Sequence, residues 1–138
     1  MSDLTHYETR TPVNFLALLF GAAAAPIAWL GQIMLNYSIT AYACYPGDHP
    51  VTIASASALK AAMLAFDAMA ILVTVVGGIV AWLSLMKARV HMREGQPHPA
   101  AEGRALFIAI WGIFSSLWFL GAILFTTIAS LTVPPCLN

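Results

Sequence analysis

The chain of 138 residues is short of charge: only 9% of it is Asp, Glu, Lys or Arg, where an ordinary soluble domain carries about 25%. None of these charges falls between Thr11 and Gly47 or between Ala105 and Asn138, and Asp67 is the only one between Ala61 and Met86. With 60% hydrophobic residues and a mean hydropathy of +0.81, that excludes a water-soluble globule with a water-facing active site, because three apolar runs leave little chain for one. Six basic and six acidic residues cancel to a formal net charge of zero, so the chain lacks the electrostatic footprint of a nucleic-acid partner. Histidine is scarce where it would matter: His6, His49, His91 and His98 all lie outside the apolar runs. Paired axial ligands for a membrane haem are therefore excluded within this chain. No internal repeat is visible.

What is present reads as an all-α integral membrane protein forming one membrane domain. A leader, residues 1–12, precedes helix 1 at 13–43; a loop at 44–58 leads to helix 2 at 59–86; a loop at 87–103 leads to helix 3 at 104–131; a tail covers 132–138. Helix 1 exceeds the ~30 Å hydrocarbon thickness at ~1.5 Å per residue, so it should tilt or project. Pro26 should kink it, and is tolerated where neighbouring helices cover the freed carbonyl. The Ala22 to Ala25 cluster after an apolar run invites reading a cleavable signal, but the apolar stretch continues well past it, as in an uncleaved anchor. Pro134 and Pro135 end helix 3.

Lys87, Arg89, Arg93 and Arg104 crowd the 87–104 connection, whereas Cys44 to Ala58 holds no Lys or Arg. The second loop is then cytoplasmic, which puts the N-terminus inside and the first loop and C-terminus outside; in a Gram-negative bacterium, with the chain in the inner membrane, that outer side is the periplasm. Lys60 dissents, from a helix end where it can snorkel. Glu94 and Glu102 dilute the basic loop, so it reads as a topology determinant and not as an anionic-lipid patch. Gly21 with Ala25, Thr74 with Gly78, Gly77 with Ala81, and Gly112 with Ser116 are each four apart, the spacing at which membrane helices approach closely. Trp82 and Trp111 fit a cytoplasmic aromatic belt, whereas Trp29 and Trp118 lie deeper and should pack against protein or lipid chains.

The only two cysteines, Cys44 and Cys136, fall on one side of that topology. In an oxidising periplasm they should form a disulfide; the alternative is a copper site of Cys44, His49 and Cys136. Asp67, deep in helix 2, is costly if charged and marks a proton relay, an ion ligand or a partner for a cation. Gln32, Asn36 and Thr40 recur every four residues as one polar stripe at a similar depth. The plainer expectation is a hydrogen-bonded cluster in which neutral Asp67 donates to Gln32 or Asn36 and locks helices 1 and 2 together.

Gly21, Pro26, Trp29, Gln32, Tyr37 and Cys44, in the pattern FxxLxFGxxxxPxAWxxQ…NY…C, together with Phe119, Pro135 and Cys136, resemble a group of small proteobacterial membrane proteins. Their genes often accompany those of haem-copper cytochrome c oxidases and related respiratory systems. The resemblance covers helices 1 and 3, is nearly silent on helix 2, and carries over no catalytic residue. It implies a non-catalytic accessory subunit of a respiratory complex, packed against larger integral subunits and membrane lipids. Such a subunit needs no cofactor of its own, with structural phospholipid the one candidate ligand. The competing expectations are a copper-handling assembly factor using the outer cysteines, and a small self-associating transporter or channel using Asp67, Gln32 and Asn36.

Overall fold

The computed structural model describes residues 14–45, 47, 56–93, 99–133 and 136. Among them stand three α-helices and no strand: α1 (Phe15–Cys44), α2 (Ala56–Arg93) and α3 (Pro99–Thr132). Each contains a stretch long and apolar enough to cross a membrane, the architecture of a multi-pass membrane protein. Asn14 caps α1, its side-chain oxygen accepting from the Leu16 amide at 3.1 Å and satisfying one of the amides that a first turn leaves open. The helix runs without a break through Pro26.

The helices outrun the apolar segments. α2 starts at Ala56 and continues past Met86 to Arg93, and α3 starts at Pro99 instead of Arg104, so most of the expected 87–103 connection is helical. The edge of the hydrocarbon ends an apolar run but not a backbone hydrogen-bond ladder, and Lys87, Ala88 and Arg89 are all good helix formers. Pro99 stands at the first helical position, where its missing N–H costs nothing.

Buried positions on α2 recur at alternating steps of four and three: Met63, Asp67, Ala70, Thr74, Gly77, Ala81, Ser84 and Ala88. This is the 3.5-residue seam of left-handed helix packing, built mostly from small residues. All eight residues of the expected small pairs lie along the helix contacts, seven of them buried and Gly78 half-buried. A methyl group added at Gly112 would lie 2.9 Å from the Gly21 carbonyl oxygen and 3.0 Å from Ala81 Cβ, and one at Gly77 would lie 2.9 Å from Ala24 Cβ. The three backbones meet here as closely as sterics allow. Leu18, Leu85 and Ala109 form an apolar cluster nearby.

Candidate functional site

The other half of the bundle is polar inside. Gln32 and Asn36 are one turn apart on α1, and each donates a side-chain N–H to the same oxygen of Asp67, Oδ1, at 2.8 Å. All three are buried, at 2%, 7% and 1% exposure. The structure thus brings Gln32, Asn36 and Asp67 together, with the two amide N–H groups donating and Asp67 Oδ1 accepting both. Thr40, the third member of the stripe, contacts Met63 Sδ at 4.0 Å instead.

Helix α3 contributes what the sequence did not disclose. Gln32 Nε2 also reaches Thr127 Oγ1 at 3.4 Å and the Ile123 carbonyl at 3.5 Å, so the cluster joins all three helices. A backbone carbonyl leaves no mark on a sequence; the run of hydroxyls Thr126, Thr127 and Ser130 was the available signal. Those three hydroxyls each donate to the carbonyl four residues back, which satisfies them in an apolar setting. The cluster nevertheless keeps unpaired acceptors: Asp67 Oδ2, Gln32 Oε1 and Asn36 Oδ1 are buried without a partner among the described residues, as are Thr74 Oγ1 and Ser116 Oγ deeper along the bundle.

Towards the C-terminal end of α1, Cys44 and Cys136 are paired at disulfide distance, with Cα atoms 5.5 Å apart. The bond ties the end of α1 to the segment after α3. While it is formed, neither sulfur is a thiolate, the species that ligates metal; His49, the third member of the copper alternative, lies outside the described residues. Among the described residues no three His, Cys, Asp or Glu side chains come together. At the same end Lys60 Nζ donates to the Leu131 carbonyl at 2.8 Å, covering one of the carbonyls left open by the last turn of α3. Lys60 thus has a structural partner at this end of the bundle.

The outer surface of α3 carries a second regular feature. Phe107, Trp111, Phe114, Trp118 and Phe125 are all exposed and continue one stripe at steps of four and three, with Gly121 as the gap between Trp118 and Phe125. Nothing lies within 4 Å of a methyl group placed at Gly121. Trp29, the other deep tryptophan, packs against Phe119 with ring centroids 5.3 Å apart. Trp118, near the middle of the apolar run of α3, is 78% exposed. Clefts of about 290 Å³, lined by Thr74, Gly78, Trp82 and Ser116 among others, and about 330 Å³, lined by Trp111, Phe114, Ser115, Trp118 and Phe119, flank the stripe.

No protein-family model, curated protein or solved structure matches the chain.

Proposed function

We propose that this chain is a non-catalytic accessory subunit of a bacterial membrane respiratory complex, a haem-copper terminal oxidase in the first place. It would sit in the inner membrane with its N-terminus in the cytoplasm and the cysteines in the periplasm. The observation that carries the reading is Trp118. An indole N–H at mid-membrane finds no acceptor in lipid tails, and tryptophan facing lipid belongs at the interfaces. A Trp118 exposed on this chain is accounted for by a protein partner that covers it. The heptad spacing of its aromatic neighbours, with a notch at Gly121, suits a transmembrane helix of a larger subunit laid along α3. The two clefts beside the stripe are shaped to take that helix's side chains or the acyl chains of a structural phospholipid. The four cations of residues 87–104 support the orientation, and the resemblance in helices 1 and 3 supports the choice of an oxidase.

The test is copurification from gently solubilised membranes. The full chain should bring down a larger haem-carrying partner in fixed stoichiometry, and the double substitution Phe114→Ala, Trp118→Ala should leave the chain inserted but release that partner. A homo-oligomer without haem, or a partner retained in full by the double variant, contradicts the reading.

A further inference from the structure

We propose that the Asp67 cluster is a binding site for a single monovalent cation, sodium or a hydrated proton, with Asp67 Oδ2, Gln32 Oε1 and Asn36 Oδ1 as its oxygen ligands. This inference is independent of which complex the chain joins.

The first argument is a surplus of acceptors. Both amide N–H contacts go to Asp67 Oδ1, and three oxygens of residues more than nine-tenths buried are left unpaired. Each unpaired amide oxygen shares its carbon with the nitrogen that reaches Asp67, so both lie within one amide group of the carboxyl. Leaving one such atom unsatisfied is costly; three together describe a place for something that offers only positive charge or donors. Placing a proton on Oδ2 alone does not meet this need, because one O–H serves at most one of the two amide oxygens and leaves the other bare. A hydrated proton brings three O–H donors to three acceptors, and a sodium ion brings one charge to the same three oxygens.

The second argument is charge. A buried carboxylate is retained where a positive charge compensates it, and among the described residues no side chain facing the cluster supplies one. Helix α1 has no charged residue, and its tyrosines Tyr37 and Tyr42 are exposed on the outside. Helix α3 has none from Ala105 onward. On α2 the nearest is Lys60, seven residues before Asp67, and its ammonium is held on the Leu131 carbonyl. One carboxylate balances one unit of charge, so a divalent ion would leave a net positive charge in an apolar surrounding; the site is therefore monovalent.

The third argument is access. A cleft of about 360 Å³ at the disulfide end is lined by Thr40, Lys60, Met63, Thr126 and Ser130 among others. Thr40 is one turn from Asn36 and Met63 one turn from Asp67, so this pair, in contact at 4.0 Å, forms the floor between cleft and cluster. On the other side the bundle closes at the Gly21, Ala81 and Gly112 crossing. Among the described residues the approach for the cation is the cleft at the disulfide end, which makes this a site and not a path.

The experiment uses the purified full chain in lipid nanodiscs, with the thermal unfolding midpoint as readout. One arm replaces choline chloride by sodium chloride at constant ionic strength and pH 8; the other lowers the pH in choline chloride alone. Sodium as ligand predicts a saturable rise of the midpoint with sodium, requiring more sodium as the pH falls. A hydrated proton predicts a rise on acidification that follows uptake of one proton, with sodium without effect. In either case Asp67→Asn should abolish the dependence while remaining folded, and Asn36→Leu should shift the half-saturating concentration by roughly tenfold or more, the usual scale for loss of one group from such a site. A purely structural cluster would lower the midpoint in these variants without altering its response to sodium or acid. The proposal is overturned if the wild-type chain responds to neither, or if Asp67→Asn or Asn36→Leu responds as the wild type does.

Discussion

The two halves of the bundle are held together by different means. In the half around Gly21, Ala81 and Gly112 the helices touch through backbone and methyl groups, so cohesion comes from close van der Waals approach. In the half around Asp67 long polar side chains stand between the same helices, and cohesion comes from hydrogen bonds, the Lys60 contact and the disulfide. Close packing tolerates no added atom, whereas the polar half keeps an adjoining cleft and unpaired oxygens. A membrane protein gains no hydrophobic drive from bringing helices together in lipid, so each half needs its own adhesive, and the polar one keeps unpaired carboxyl and amide oxygens inside the bundle.

Substitutions in the tight half should have the largest effect. Gly112→Leu forces side-chain atoms into the Gly21 carbonyl and Ala81, and overpacking of this kind costs about 1–3 kcal/mol or more. Gly31→Ala, where an added methyl group meets nothing within 4 Å, should stay within about 0.5 kcal/mol. Equilibrium unfolding in mixed micelles compares them, and equal losses would remove the distinction between the halves. Breaking the disulfide comes next. In water a loop this long predicts about 4–5 kcal/mol, but the membrane already restrains the unfolded chain, so a smaller loss is expected. Cys44→Ser should raise amide exchange near Cys136 and the end of α3 while leaving the Gly112 region protected, and labelling of unreduced membranes should modify neither cysteine. Exchange that rises uniformly along the bundle would show that the halves do not open separately. The smallest effect is expected from Lys60→Gln, which removes a cation from the C-terminal end of α3 at a cost of about 0.3–1 kcal/mol, seen as fraying of the last turn by the same exchange measurement.

Much of this division was legible beforehand, because in an apolar sequence every polar residue stands out. The rarity of charge marked Asp67, a spacing of four marked Gln32 and Asn36, and the two spans between them brought Cys44 and Cys136 to one end. Small residues at the same spacing marked the tight crossing. The rest was not legible for definite reasons. The helix ends were misplaced because hydropathy reports the edge of the lipid and not the end of the hydrogen-bond ladder. The Ile123 carbonyl belongs to the backbone. Trp29 and Trp118 look alike in sequence, at similar depths on their helices; the packing against Phe119 that separates them depends on how the helices are rotated.

That difference between the two tryptophans bears directly on the central claim, that the aromatic stripe of α3 is covered by a larger subunit. A photoreactive amino acid placed at position 118 of the full chain, irradiated in native membranes, measures it. The account predicts one dominant crosslink to a larger, haem-carrying membrane subunit, with a probe at Trp29 giving none. Crosslinks from position 118 only to lipid, or only to a second copy of this chain, would contradict it.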